Sequence, residues 1–281
     1  MDSPISVRKK GAFVEVSIED PDSIESPELK EPILWRELGE LYRRNLIPLS
    51  FQILSFKLRE TALYNMARYI AGNYSRIRPL YRALKSAMNN RPVIVEVPGE
   101  IKDEATINTF VEKLKQLGSS TGIISGIDYI RGSRIIRIEN VQDAGFLLGG
   151  WLEIALSDAI SSTCPFREFL LLKNLRFRFK NVNNEIDILL ITEKGSLIFE
   201  AKSGFDVRDT GDICYKLLRK ASLLDIPSSR AFLLIPSLDD VKEGITLEKL
   251  DSKCFGIRVL TLENMRGELE KLFYNMTPGG V

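Results

Sequence analysis

Glu200 and Lys202 end the apolar run Leu197-Ile198-Phe199-Glu200-Ala201-Lys202. Side chains two apart on a strand project to one face, so this carboxylate and this ammonium must point the same way. Asp187 opens a second apolar run, Ile186-Asp187-Ile188-Leu189-Leu190, an awkward place for a carboxylate that merely needs water. If the two runs pair as a hairpin across the turn at Lys194-Gly195, Asp187 joins the other two. Two converging carboxylates make a hard oxygen site for a divalent cation, and a nearby ammonium can position an attacking water or help deprotonate it. That is the chemistry of phosphodiester hydrolysis. Glu153, in Gly149-Gly150-Trp151-Leu152-Glu153, would add a further carboxylate from a preceding helix. Glu185 shares the face of Asp187 under strict alternation and reads as surface or supporting charge. The plainer alternative makes Glu200-Ala201-Lys202 a solvated strand end, Glu185-Ile186-Asp187 a polar turn, and Glu153 a first-turn acid favoured by the helix dipole.

The elements around these residues are those needed to position them. A helix begins near Gly150-Trp151, followed by strands over Leu170 to Lys180, Ile186 to Thr192 and Leu197 to Ala201. A helix rich in Leu and Lys runs from about Asp212 to Leu224, then come the apolar strand Ala231 to Ile235 and a last strand near Ile257 to Leu260. This α-β-β-β-α-β order predicts an α/β domain with a restriction-endonuclease-like mixed sheet flanked by helices. Upstream, a helix, a strand at Val93 to Val97, a helix after Asp103 closed by Gly118, and a hairpin around Arg131-Gly132 follow the element order of a winged helix, an α+β module. Further upstream, Ala12 to Ile18 alternates as a strand, Pro32 to Leu46 has one apolar helical face, and Ser50 to about Asn89 reads as helix broken near Gly72-Asn73 and at Pro79. The predicted division is residues 1–50, a short N-terminal region; 51–142, a helical and winged-helix-like module; and 143–281, the domain holding the acidic cluster.

Gly-Gly-Trp-Leu-Glu at 149–153, Asn-Glu-Ile-Asp at 184–187 and Phe-Glu-Ala-Lys-Ser-Gly at 199–204 resemble the nuclease half of the CRISPR-associated CARF-domain nucleases, proteins activated by cyclic oligoadenylates and built on the PD-(D/E)-x-K nuclease type. The resemblance covers roughly Gly145 to Leu260, and Val93 to Val141 is similar to the winged-helix-like linker of those proteins. It implies that Glu153, Asp187, Glu200 and Lys202 are catalytic, that Glu153, Asp187 and Glu200 hold Mg2+ or Mn2+, that nucleic acid is the substrate, and that the protein works as a homodimer. The chain departs from the family upstream, where no glycine-rich strand-to-helix turn cradles a cyclic oligonucleotide. The expectation is therefore an enzyme that is constitutively competent or governed by a partner protein, and not switched by cyclic oligoadenylate. The rival from another class is a nucleic-acid-binding protein with a catalytically degenerate nuclease fold.

Composition narrows the chemistry further. The chain of 281 residues contains no histidine, which excludes His-based general bases, Ser-His-Asp triads and His-ligated zinc, and leaves oxygen as the metal donor. Three cysteines, Cys164, Cys214 and Cys254, form no Cys-x-x-Cys pair, so neither a disulfide framework nor a zinc knuckle is expected. No apolar run approaches the roughly 18 to 20 residues that span a bilayer, and the start lacks a signal-peptide pattern, so a cytoplasmic protein without membrane partners is predicted.

A net charge of +1 hides local segregation. Residues 15–31 carry seven acids, whereas residues 52–91 carry eight bases against Glu60 alone. In the basic stretch Tyr64, Tyr69, Tyr74 and Tyr81 interleave with Arg76, Arg78, Arg82 and Lys85, a mixture that can contact phosphates and stack on bases, or can equally be a core stripe beside a solvated face. On the strand leading into the acidic cluster, alternate members of Lys173, Arg176, Arg178 and Lys180 should face one side and could neutralise a nucleic-acid backbone.

Overall fold

The apolar runs Leu170–Leu172, Ile188–Ile191 and Leu197–Phe199 are buried along their whole length, as strands covered on both faces are, and they fold as the centre of a sheet. The computed structural model describes residues 5–10, 13–18, 41, 43–54, 61–167, 169–204, 207–241 and 244–277, with only the backbone path given for the first two stretches. The chain divides into two compact units, one of residues 1–58 and 156–281, the other of residues 59–155. The helical face expected over Pro32 to Leu46 and most of the acidic stretch lie outside the described residues.

The first unit is built on eight strands: β1 (Ile5–Lys10), β2 (Phe13–Ile18), β3 (Ile47–Leu54), β7 (Phe169–Phe179), β8 (Val182–Thr192), β9 (Gly195–Ala201), β10 (Ala231–Ile235) and β11 (Arg258–Thr261). They stand in the order β1-β2-β3-β7-β8-β9-β10-β11. Pairing is antiparallel from β1 through β9 and parallel from β9 to β11, so the sheet is mixed. Parallel neighbours need crossover connections, and helices α4 (Thr210–Leu223) and α5 (Leu247–Asp251) lie in them, with α6 (Met265–Met276) closing the chain. Ser50 to Leu54, which the sequence places in a helix, belongs to β3, where Phe51 is buried beside β7. Here β-sheet pairing overrides a run whose apolar spacing suits either element.

One core joins Leu170, Leu189, Ile198 and Leu233 of the sheet to Cys214, Leu217 and Ala221 of α4. Phe199 and Phe232 stack on each other with centroids 5.0 Å apart. Each fully buried side chain of this size contributes about 1.5–3 kcal/mol. The core includes both Leu172 and Leu175, and both Ile186 and Leu189, residues three apart that strict alternation would send to opposite faces. Strands β7 and β8 therefore shift face together, around Asn174, which takes φ 51, and around Asp187.

Cys214 and Cys254 form a disulfide with their Cα atoms 5.0 Å apart, contrary to the expectation of unpaired thiols; Cys164 is free and half-buried. The pair is 40 residues apart in sequence and meets only because α4 and the turn after α5 close on the same core. No helix among the described residues is long and apolar enough to cross a membrane.

The second unit packs helix α1 (Ala62–Ala87) and helix α2 (Glu104–Thr121) with the three-stranded antiparallel sheet β4-β6-β5, formed by β4 (Val93–Glu96), β5 (Ile124–Ile130) and β6 (Ile135–Val141). Thr61 caps α1 by accepting the Tyr64 N–H, and the helix continues through Gly72 and Pro79, where the sequence places breaks. Buried Ile70, Tyr74, Ile77, Leu80, Tyr81 and Leu84 line one face across both positions, and this burial outweighs the single hydrogen bond that proline forfeits. Helix α2 likewise runs past Gly118 to Gly122, which takes φ 71. At Gly118 a Cβ would stand 2.5 Å from the Ile124 carbonyl oxygen, so its smallness serves packing and does not end the helix.

Candidate active site

Turn geometry decides which residues meet. Strands β8 and β9 pair from Thr192↔Gly195 to Ile188↔Phe199, and one step further Asp187 comes opposite Glu200. Gly195 makes that turn possible: it takes φ 110, and a Cβ there would stand 2.2 Å from Arg230 Nη1, which donates to the Lys194 carbonyl at 3.0 Å. On the other side β10 runs parallel with Leu233 beside Glu200, and the Lys202 N–H donates to the Leu234 carbonyl at 2.9 Å. The backbone of Lys202 is thus pinned although its strand has ended.

Asp187, Glu200 and Lys202 converge. Asp187 Oδ2 accepts the Ala201 N–H at 2.8 Å and lies 3.6 Å from Lys202 Nζ. Lys202 Nζ lies 2.7 Å from Glu200 Oε1. The side chains of Asp187 and Glu200 are only 14% and 10% exposed, so each needs partners to remain ionised at acceptable cost.

A fourth member escapes the sequence reading. Lys220 of α4 places Nζ 2.8 Å from Glu200 Oε2, so the two oxygens of this carboxylate each meet a different ammonium. Its signal was there in the helical spacing: Lys220 falls in the stripe Ile213, Leu217, Leu224, an odd place for a lysine without a buried partner. Burial alone pushes the Glu200 carboxyl up, but the ammoniums of Lys220 and Lys202 outweigh it by charge and hydrogen bonding and hold it below its ordinary value. Burial alone would bring Lys202 down; the charges of Asp187 and Glu200 raise it above its ordinary value instead.

Among the described residues no group of three or more carboxylate, thiol or imidazole ligands forms. Glu153 occupies the first turn of helix α3 (Trp151–Thr163), half-buried, in the unit of residues 59–155, and enters the metal set only by proposal. The residues present nonetheless fit Mg2+ or Mn2+. Their donors are hard oxygens, and such ions are commonly held by one or two carboxylates, with waters and substrate phosphates completing the shell.

The basic candidates fall in different surroundings. Arg76 pairs with Asp103, whose other oxygen accepts the Ala105 N–H at 3.0 Å and caps α2. Arg82 is exposed, while Arg78 and Lys85 are half-buried. Tyr64, Tyr74 and Tyr81 are buried, which decides for these three between the two alternatives in favour of the core stripe. Tyr81 Oη donates to the Leu147 carbonyl at 2.8 Å and accepts from Trp151 Nε1 at 2.7 Å, and the Trp151 ring stacks on Tyr74 with centroids 5.6 Å apart. The tryptophan of Gly-Gly-Trp-Leu-Glu is therefore a core residue.

On β7, Arg176 and Arg178 are exposed. Arg176 Nε donates to Glu185 Oε2 at 2.9 Å directly across the strands, and Arg178 Nε to Asn183 Oδ1 at 3.3 Å. Lys173, before the shift at Asn174, is buried and does not share their exposure.

No family model matches the chain, and no curated protein matches it. Among solved structures it is similar to the protein VC1899 from Vibrio cholerae, with a TM-score of 0.53 and 16% identity over 95% of this chain and 67% of that one. It is also similar to Can2 from Sulfobacillus thermosulfidooxidans, solved in complex with cyclic tetra-adenylate, with a TM-score of 0.56 and 16% identity over 84% of this chain and 60% of that one. At such identity the likeness shows the fold, a central mixed sheet flanked by helices.

Proposed function

We propose that the chain is a divalent-metal-dependent nuclease hydrolysing DNA or RNA phosphodiester bonds. The observation that carries this reading is the convergence of Asp187, Glu200 and Lys202, with one ammonium 2.7 Å from one carboxylate and 3.6 Å from the other. Asp187 and Glu200 would hold Mg2+ or Mn2+, with Glu153 offering a further carboxylate from α3. When bound, the ion supplies positive charge against the phosphate and makes water a better nucleophile. Lys202, beside both carboxylates, would orient the attacking water and stabilise charge on the phosphate oxygens. Homodimerisation, which would bring a second site to a second strand, belongs to the same proposal.

A place in CRISPR-linked or other antiviral defence is supported by the resemblance of the three motifs and by the fold shared with Can2, a protein solved with cyclic tetra-adenylate. The sequence upstream of Val93 has no glycine-rich strand-to-helix turn for such a ligand, so cleavage is proposed to proceed without it. The test is cleavage of labelled single- and double-stranded DNA and RNA with Mn2+, with and without cyclic tetra- and hexa-adenylate. Cleavage in both arms supports the reading; strict dependence on the cyclic nucleotide overturns the proposed control while leaving the site standing.

One observation favours a second reading, a nucleic-acid-binding protein with a degenerate site. Both Glu200 oxygens hold lysines, as they would in a purely structural ion-pair network. A degenerate site would give no Mg2+- or Mn2+-dependent thermal shift that Asp187→Ala removes.

A further inference from the structure

We propose that Lys220 is a displaceable counter-ion that competes with the divalent metal for Glu200 and so sets the metal concentration at which the site loads. The inference rests on the nuclease reading and concerns how that site is regulated.

Asp187, Glu200, Lys202 and Lys220 together sum to zero charge, two carboxylates against two ammoniums. A dication approaching this group meets no net attraction until one ammonium withdraws. The two lysines are not equivalent in this respect. The ammonium of Lys202 lies between two carboxylates, 2.7 Å from Glu200 and 3.6 Å from Asp187, so carrying it into water gives up both. Among the described residues the ion pair of Lys220 is with Glu200 alone, although its side chain is 17% exposed against 35% for Lys202. A four-carbon stem with free rotation can carry that ammonium into water without moving helix α4. Lys220 gives up one carboxylate where Lys202 would give up two, and Oε2 is the oxygen it uncovers.

Removing Lys220 leaves the cluster with one net negative charge and an unblocked oxygen. The consequence is tighter metal binding, the opposite of what loss of a merely structural bridge would give. Metal loading also exposes the Lys220 amine to solvent, which ordinary bridge geometry would not.

The full chain is titrated with MnCl2, without nucleic acid, and the Mn2+ midpoint is read from thermal shifts for wild type, Lys220→Met, Lys220→Arg and Asp187→Asn. The expected result is a midpoint about tenfold lower in Lys220→Met, equivalent to about 1.4 kcal/mol, and close to wild type in Lys220→Arg. In the wild type, acetylation of Lys220 by acetic anhydride, followed by mass spectrometry, should rise severalfold on adding Mn2+. That measurement stands even if Lys220→Met does not fold. A Lys220→Met midpoint equal to or above wild type, or Lys220 acetylation unchanged by Mn2+, overturns the proposal. If the wild type shifts with Mn2+ in a manner that Asp187→Asn abolishes, the nuclease reading survives that failure; if the wild type does not shift at all, both fall together.

Discussion

Lys202 Nζ lies 2.7 Å from Glu200 Oε1 and 3.6 Å from Asp187 Oδ2, so one ammonium ties together the carboxylates of two neighbouring strands. Its removal should cost chemistry more than metal. Lys202→Ala is expected to lower the single-turnover cleavage rate by about 10²-fold or more, while the Mn2+ midpoint moves less than in Asp187→Ala. Rapid-quench assays and metal titrations on the same preparation check the split. Equal losses in both would assign Lys202 to metal binding instead.

Asp187 has two separable duties. Its charge serves the metal, and its Oδ2 accepts the Ala201 N–H at 2.8 Å. Asp187→Asn can keep the acceptor, so the melting temperature should stay near wild type while cleavage falls by about 10²–10³-fold or more. Asp187→Ala should lose cleavage and also about 1–3 kcal/mol of stability, because the amide is left without its partner. Differential scanning fluorimetry separates the two variants.

The depressed Glu200 carboxyl ties stability to pH. Its folded value lies below its unfolded one, so its contribution is present above the ordinary carboxylate value of 4.5 and is lost as pH falls through the lower folded value. Lys202, raised above 10.5, contributes fully below that pH and loses its contribution as pH rises past the folded value. The melting temperature of the metal-free protein should therefore fall toward low pH. In Glu200→Gln that acid-side fall should be shallower, and an unchanged slope would show that Glu200 does not govern it.

The exposed arginines of β7 test the nucleic-acid interface. Arg176→Ala with Arg178→Ala should weaken binding similarly across sequences and reduce the salt slope by roughly one for each phosphate that is no longer neutralised. Fluorescence anisotropy between low and moderate salt measures it. Arg76 is a poorer probe, since its partner Asp103 caps helix α2, and reversing its charge perturbs the cap as well as the ion pair.

The site strands were legible because their apolar runs are uninterrupted and bounded by turn residues. Ala231–Ile235 came out residue for residue, Asp187 stood where a carboxylate has no solvation motive, and Glu200 and Lys202 stood two apart at the end of an apolar run. What alternation could not show was the joint face shift at Asn174 and Asp187, which depends on two strands at once. Lys220 was hidden for a related reason: helical spacing reveals an ionisable residue in an apolar stripe, but its partner lies 20 residues away across the sheet. Tyr74 and Tyr81 of α1 illustrate the converse, members of a stripe compatible with base stacking that packing places in the core around Trp151.

The most direct test of the central claim is cleavage of labelled DNA and RNA by wild type and Asp187→Asn, each with Mn2+ and with EDTA. Because the two buried carboxylates are proposed to act through a divalent ion, cleavage is predicted for wild type with Mn2+ only. Loss in both EDTA and Asp187→Asn would support the account; cleavage undiminished by EDTA, or retained in full by Asp187→Asn, would contradict it.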